Sequence, residues 1–340
     1  MKAIFYTKPG LQMIDCPEPQ ISQPDDVKIK ISYASVCGSD LHTYKGEMDL
    51  LYGEAKQIPL GHEASGVIVE LGPDATNKGL KVGDKVTYYY NLHCGKCYYC
   101  RNGQEQFCLN MKINMSAMAE YLVVNEQQVF KLPEEVDLSE AVFIEPISVC
   151  LHGIDLCRIK PGARVAISGG GGMGQILLQL AKLSGAVDLT MIEPVAGKRE
   201  IALMLGASHA LDPFTQNIQE EALKITNNLG FDAVIEASGS TGACQAAYDI
   251  VGRGGVLEFF AALYNPAYNF PLNLFNAFFK EITIIGGVFQ SPYAFPRSVA
   301  LFRQLDIDSL MENAIFDAKD YDEAFKAQVD SKCVKAILKF

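Results

Sequence analysis

The chain has 340 residues, of which 49% are hydrophobic and 20% charged, and its formal net charge is −11. This composition is typical of a globular protein long enough for two hydrophobic cores. The negative charge argues against nucleic acid as a partner, and no apolar run approaches the length of a membrane span. The opening stretch MKAIFYTKPG lacks the apolar region of a secretory signal, so we expect a cytoplasmic protein with reduced thiols.

The pattern of predicted elements changes near residue 150. Residues 1–149 contain short β-rich stretches such as VKIKISYAS and ASGVIVELG, separated by Gly, Pro and Asp turns, which predict an irregular β domain. From 150 to 289, apolar strands alternate with helical segments, which predicts a parallel sheet flanked by helices. Residues 290–340 end in the strand-like VKAILKF and are expected to return to the first domain.

Three residues in the first domain have side chains suited to zinc. Cys37 lies in SVCGSDLHTYKG, and His62 and Glu63 follow a Pro-Leu-Gly turn that can direct both side chains into a cleft. Spacing alone leaves another interpretation open, because a lone cysteine or a single histidine is more often a core or surface residue than a ligand.

Four cysteines follow in CGKCYYCRNGQEQFC, residues 94–108, with the spacing C-x2-C-x2-C-x7-C. In a reduced compartment this spacing favours one tetrahedral zinc over disulfides or a redox thiol pair. Because four protein ligands leave no open position for a substrate, we expect this zinc to be structural. Its predicted ligands are Cys94, Cys97, Cys100 and Cys108.

The stretch RVAISGGGGMGQILLQLAK predicts a dinucleotide site. A strand runs into Gly169, Gly171 and Gly174, which form G-x-G-x-x-G, and a helix follows whose free N–H groups can bind a pyrophosphate. Glu193 ends the next strand, where a carboxylate can accept hydrogen bonds from ribose hydroxyls and repel a 2′-phosphate. NAD is therefore favoured over NADP, although Lys198 and a neighbouring arginine leave that choice open. A glycine-rich turn without a nucleotide is the alternative.

Together these motifs resemble the zinc-containing medium-chain dehydrogenase/reductase family, closest to its sorbitol (L-iditol) and threonine dehydrogenase branch. The resemblance covers nearly the full chain and is carried by CGSDLH (37–42), GHEASG (61–66), the cysteine lobe, EPIS (145–148) and the glycine-rich turn. It implies an α/β fold with a GroES-like β-rich catalytic domain, a Rossmann domain with a doubly wound parallel sheet, and an active site in the cleft between them. Relatives are homodimers or homotetramers, commonly joined at the edge of the Rossmann sheet, for which GGVLEFFAAL and KEITIIGGV are candidate segments here.

The resemblance also implies roles for individual residues. Two constant ligands of a catalytic zinc, and two acidic positions that bind the ion directly or through water, match Cys37, His62, Glu63 and Glu145. Which of the two glutamates is the direct ligand stays open. A proton relay from the alcohol to solvent matches Ser39 and His42. The cofactor-binding positions are Gly169, Gly171, Gly172, Met173, Gly174, Glu193 and Lys198.

The implied activity is zinc-dependent, NAD-linked oxidation of a secondary alcohol to a ketone by hydride transfer. A zinc with an open position lowers the pKa of a bound hydroxyl, so the proton can leave near neutral pH. A polyol is the favoured substrate. Threonine-like, polyol-phosphate and cyclic alcohols stay open, because Gln290 replaces an arginine usual in sorbitol dehydrogenases and the segment after Cys108 is short. A noncatalytic NAD-binding relative is the alternative class, which the relay residues disfavour.

Overall fold

The computed structural model describes residues 1–8, 10–53, 55, 57–75, 79–263 and 268–340. The described chain forms two compact units. The first unit comprises Met1–Pro146, Ser291–Arg303 and Ile307–Phe340, and the second unit comprises Ile147–Gln290 and Gln304–Asp306. The division into catalytic and nucleotide-binding domains at 149/150 and 289/290 stays a prediction.

The described residues form the following strands and helices, numbered in chain order. The strands are β1 (Lys2–Thr7), β2 (Gly10–Asp15), β3 (Asp26–Ser35), β4 (Ile58–Pro59), β5 (Glu63–Leu71), β6 (Lys85–Tyr88), β7 (Asn91–Leu92), β8 (Lys112–Ile113), β9 (Tyr121–Asn125), β10 (Val129–Lys131), β11 (Arg164–Ser168), β12 (Asp188–Ile192), β13 (His209–Leu211), β14 (Phe231–Glu236), β15 (Val251–Phe259), β16 (Thr283–Gly286), β17 (Ile315–Asp317) and β18 (Ile337–Lys339). The helices are α1 (Gly38–Tyr44), α2 (Asp49–Tyr52), α3 (Tyr98–Arg101), α4 (Leu138–Ala141), α5 (Ile144–Cys157), α6 (Gly172–Leu183), α7 (Ala196–Met204), α8 (Ile218–Ile225), α9 (Thr241–Ile250), α10 (Leu274–Lys280), α11 (Ala294–Leu301) and α12 (Tyr321–Val329).

In the first unit, β3 is the central strand. Its alternating residues Val27, Ile29 and Ile31 are buried, as a half-buried strand requires. β3 pairs antiparallel with β5, β9 and β18 in a sheet of order β10-β6-β5-β3-β18-β17. Ser35 at the end of β3 lies opposite both Glu63 and Ile337. The sheet therefore brings three distant parts of the sequence to one point.

The second unit contains a parallel sheet of order β13-β12-β11-β14-β15-β16. Numbered from β11, this is the 3-2-1-4-5-6 order of dinucleotide-binding folds. Buried residues of β14 and β15, including Phe231, Val234 and Leu257, pack with Tyr248 of α9 in the core. Helix α6 has its apolar residues at helical spacing and is followed by Gly185 at φ +96°.

Of the two segments predicted from the sequence to lie at the edge of this sheet, one does not. The segment GGVLEFFAAL contains β15, which is hydrogen-bonded to β14 on one side and β16 on the other and is therefore an interior strand. The segment KEITIIGGV contains β16, which does lie at the edge. Two adjacent apolar strands look alike in sequence, and their order depends on long-range pairing.

Among the described helices, none combines the length and apolar character needed to cross a bilayer.

Candidate active site

Three zinc-compatible side chains converge at the end of β3. One ligand atom from each of Cys37, His62 and Glu63 lies within 4.8 Å of the others. Cys37 is the N-cap residue of α1, just after β3, and Glu63 begins β5 opposite Ser35. The turn before His62 requires a glycine: Gly61 has φ +90°, and a Cβ there would lie 2.7 Å from the backbone nitrogen of Met118.

The burial of these donors indicates that a cation fits between them. His62 and Glu63 are both buried, and in the described part of the chain His62 Nδ1 and Glu63 Oε1 have no hydrogen-bond partner. Burial, followed by the charge of Glu63, raises the pKa of the Cys37 thiol to about 12. Buried polar atoms left unpaired are costly, and a zinc ion would satisfy them and favour the thiolate. The donor set is thus suited to a zinc site.

A lysine that the sequence analysis missed completes this cluster. Lys335 Nζ lies 2.6 Å from Glu63 Oε2, and the two side chains are 5% and 1% exposed. Lys335 also donates to the carbonyl oxygen of Val36 at 3.3 Å, and Ser35 donates to the same Glu63 oxygen. Burial disfavours the charged amine, but the nearby Glu63 and Cys37 outweigh it and raise the pKa of Lys335. The one signal in the sequence is a lone lysine entering the final apolar strand.

Two further buried carboxyl groups lie near the donors. Asp40 Oδ2 accepts a hydrogen bond from the Cys37 backbone N–H at 2.9 Å. Burial raises the pKa of Asp40, and the nearby His62 opposes this only partly. Glu145, at the start of α5, is 2% exposed, and burial raises its pKa to about 8, with smaller effects from His62 and Glu63. Glu145 is not part of the group of three whose ligand atoms lie within 4.8 Å.

The predicted relay residues lie on α1. The Ser39 hydroxyl is buried and has no hydrogen-bond partner among the described residues, while its carbonyl accepts a bond from Thr43 Oγ1 at 3.0 Å. His42 is partly exposed, and its Nδ1 is hydrogen-bonded to Glu47. The Tyr90 ring contacts the His62 ring, with ring centroids 4.9 Å apart and the two planes tilted by 59°.

The four cysteines of the lobe meet as predicted by their spacing. Their sulfur atoms all lie within 4.8 Å of one another, with Cys97–Cys100 at 3.5 Å and Cys94–Cys100 at 4.0 Å. A tetrahedron with Zn–S bonds of about 2.3 Å has sulfur–sulfur edges of about 3.8 Å. Hydrogen bonds from the backbone, first from Lys96, lower the pKa of Cys94 to about 6. The ten cysteines of the chain are free thiols, so disulfides do not compete for these sulfurs.

The glycine-rich turn borders a cavity of about 530 Å³ in the second unit. Gly169 has φ +105°, and a Cβ on Gly174 would collide with the Gly169 carbonyl oxygen, so both positions require glycine. Gly171 faces open space and, with Gly169, lines the cavity. Gly172, Met173 and Gly174 form the first turn of α6. A pyrophosphate would fit against these N–H groups.

Glu193 and Lys198 also line this cavity. The buried Glu193 carboxylate accepts hydrogen bonds from the backbone N–H of Gly170 at 2.6 Å and of Val195 at 2.9 Å. These bonds fix the carboxylate beside the glycine turn. Its remaining lone pairs are available to a ligand with hydroxyl groups.

Known proteins share this architecture. Residues 23–134 match the family model for the alcohol dehydrogenase GroES-like domain, and residues 172–304 match that for zinc-binding dehydrogenases. L-Threonine 3-dehydrogenase of Pyrococcus horikoshii is 32% identical over 355 residues, which cover 99% of this chain and 98% of the relative. Sorbitol dehydrogenase of Halalkalibacterium halodurans is 30% identical and covers 99% of both chains.

Among solved structures, a Sinorhizobium meliloti protein described as a zinc-binding dehydrogenase, with NADP bound, superposes with a TM-score of 0.88 at 27% identity. The match covers 100% of this chain and 99% of that protein. The predicted α/β fold class, with GroES-like and Rossmann parts, is confirmed. The chain belongs to the zinc-containing medium-chain dehydrogenase/reductase family, in its sorbitol and threonine dehydrogenase branch, and is a zinc-dependent alcohol dehydrogenase.

Proposed function

We propose that this protein oxidises a secondary alcohol of the polyol class to a ketone, with NAD as hydride acceptor and a catalytic zinc held by Cys37, His62 and Glu63. The observation that carries the proposal is the donor group itself, whose ligand atoms lie within 4.8 Å of one another. When bound, zinc supplies Lewis acidity to the hydroxyl oxygen and NAD accepts the hydride.

Glu63 is our choice as the direct acidic ligand. One of its oxygens, Oε2, is held by Lys335 and Ser35, which leaves Oε1 directed by those contacts and available to a cation. Glu145 lies outside the three-donor group, so we assign it an indirect role near the ion. Lys335 holds Glu63 in place through a short, charge-assisted contact with Oε2.

Ser39 and His42 are proposed to move the substrate proton. The Ser39 hydroxyl is buried, lies two residues after Cys37, and has no hydrogen-bond partner among the described residues, so it can accept a hydrogen bond from the substrate hydroxyl and release its own proton as it takes the substrate's. His42 is 36% exposed and paired with Glu47, which places an exchangeable proton in contact with solvent. A protein that only bound NAD would have no use for this pair.

The second unit supports NAD as the cofactor. The Glu193 carboxylate can accept the adenosine ribose hydroxyls and would repel a 2′-phosphate, and Lys198 is the cation beside it in the same cavity. The structural zinc is assigned to Cys94, Cys97, Cys100 and Cys108.

A neutral polyol suits the described site better than a charged substrate. Threonine carries a carboxylate and a polyol phosphate carries a dianion, and each needs a cation to bind tightly. Lys335, the lysine in contact with the donor group, is buried and already paired with Glu63. Ser39, by contrast, lies two residues after Cys37 and offers a hydroxyl that has no hydrogen-bond partner among the described residues.

The direct test is NADH formation by zinc-loaded protein with polyols, polyol phosphates, threonine and cyclic secondary alcohols, with NADP in parallel. We expect the highest kcat/KM for a free polyol with NAD. Higher turnover on threonine or a phosphate would overturn the substrate class and leave the dehydrogenase assignment intact. Absence of turnover on the whole panel, in protein with two zinc ions per chain, would contradict the polyol proposal.

We also propose a homodimer or homotetramer whose subunits join at the edge of the parallel sheet. Strand β16 lies at that edge, and the adjacent α10 exposes Leu274, Phe275, Phe278 and Phe279, each more than half exposed. An open strand edge beside aromatic surface is suited to a second copy, because pairing the strands satisfies both backbones and buries the rings. Phe278→Asp should shift the mass in light scattering toward the monomer, whereas Leu229→Asp, which alters an exposed leucine elsewhere, should not.

The cell compartment and other partners follow from composition. Free thiols suited to metal favour a reducing cytoplasm, which we propose as the location. The net charge of −11 supports a small-molecule substrate without nucleic acid or membrane partners.

A further inference from the structure

The guanidinium of Arg199, on α7, is partly buried and is bound by three groups. Nη1 donates to the carbonyl oxygens of Glu193 at 2.7 Å and Pro194 at 2.8 Å. Nη2 lies 3.4 Å from Asp212 Oδ2, and the two side chains are 20% and 19% exposed. Arg199 therefore has both carbonyl acceptors and a counter-charge in the folded chain.

This pair lies directly behind the wall of the dinucleotide cavity. Glu193 and Pro194, whose carbonyls Arg199 binds, line the cavity, as do Pro213 and Phe214. Asp212 precedes them, and its Oδ1 accepts a hydrogen bond from the Phe214 N–H at 3.0 Å. Arg199 and Asp212 thus connect two parts of the wall without lining the cavity themselves.

The cavity itself carries no excess positive charge. Of the described residues that line it, Glu193 and Lys198 are the charged ones, and their charges have opposite sign. A ribose diol needs only hydrogen-bond partners, whereas a 2′-phosphate adds nearly two negative charges and is best bound by an arginine. The Sinorhizobium meliloti relative was solved with NADP, so this fold can accommodate a 2′-phosphate.

We propose that Asp212 is a positioning residue that sets cofactor choice. By neutralising Arg199 and holding it against the backbone, Asp212 withholds from the cavity a guanidinium that a 2′-phosphate could use. The selection for NAD then has two parts: Glu193 repels the 2′-phosphate, and Asp212 keeps Arg199, which could otherwise bind this phosphate, engaged. This inference rests on the NAD-linked function proposed above.

The test uses Asp212→Asn in the zinc-loaded full-length protein, with dissociation constants for NADH and NADPH measured by fluorescence. Asparagine retains an oxygen for the Phe214 N–H, so the substitution removes the charge and keeps the turn. We expect NADPH to bind about tenfold more tightly, the size of one charge-assisted hydrogen bond, and NADH to change less than twofold. Arg199→Ala in the Asp212→Asn background should abolish the gain, because the released guanidinium is then absent.

The outcomes separate this inference from the cofactor assignment. If the unaltered protein prefers NADPH, the proposed NAD-linked function fails. If it prefers NADH and Asp212→Asn binds NADPH no better, the inference about Asp212 fails alone. Weaker binding of both cofactors by Asp212→Asn would also overturn it, because Asp212 would then act only by holding the loop. An equal gain in the Arg199→Ala double variant would show that the effect does not pass through Arg199.

Discussion

Glu258 is a buried acid in the second unit whose protonation should make stability depend on pH. It lies within β15 and is fully buried; its Oε2 accepts a hydrogen bond from the Cys157 thiol at 3.1 Å. In the described structure its Oε1 has no hydrogen-bond partner. Burial raises the pKa of Glu258 from 4.5 to about 7, and the bond from Cys157 opposes this only partly.

The sign of the effect follows from proton binding. Between pH 4.5 and 7 the folded chain holds a proton on Glu258 that the unfolded chain has lost, so stability falls as pH rises. The full effect is about 3 kcal/mol, since each tenfold difference in proton affinity is worth about 1.4 kcal/mol. Part of this stabilisation is already lost at pH 5, so roughly 2.5 kcal/mol of it is lost between pH 5 and 8.5.

Glu258→Gln should remove this dependence, because glutamine has a similar shape and does not titrate. We expect the free energy of unfolding of the unaltered protein, measured by urea denaturation, to fall by roughly 2.5 kcal/mol more than that of the variant between pH 5 and 8.5. Glu200→Gln, at an exposed position in the same unit, should follow the unaltered protein. Parallel curves for Glu258→Gln and the unaltered protein would refute the reasoning.

Two further predictions concern the first unit. In zinc-free protein, Lys335→Met should lower the free energy of unfolding by about 3–5 kcal/mol, because it leaves the buried Glu63 carboxylate without a cation. The exposed Lys326→Met should cost less than about 1 kcal/mol, and equal costs in urea denaturation would contradict the buried pair. Cys97→Ser should reduce bound zinc from two ions to one per chain and lower the Tm, and retention of both ions in mass spectrometry of the metal would contradict the structural site.

The site residues that motifs alone could predict are those that lie close together in the sequence. The cysteine lobe lies within fifteen residues, and the glycine turn with its acid within twenty-five, so turn chemistry and short spacing define them. The convergence of Cys37 with His62 and Glu63 depends on the pairing of β3 with β5, and the family resemblance supplied what spacing alone left open.

Long-range pairing explains what the sequence did not predict. Lys335 reaches Glu63 because β18 pairs with β3 some three hundred residues away in the chain, and no local pattern encodes that register. From the sequence alone, Arg199 left the choice between NAD and NADP open. Its ion pair with Asp212 depends on the packing of α7 against β13, which the sequence does not reveal. The order of β15 and β16 was ambiguous for the same reason.

The most direct test of the central claim compares zinc content and polyol turnover in the unaltered protein and in Cys37→Ser. Our account predicts two zinc ions per chain and NAD-linked turnover for the unaltered protein. For Cys37→Ser it predicts one zinc ion, loss of turnover by at least about a hundredfold, and an unchanged dissociation constant for NADH. Unchanged turnover, or two zinc ions retained in Cys37→Ser, would contradict the assignment of the catalytic metal to Cys37, His62 and Glu63.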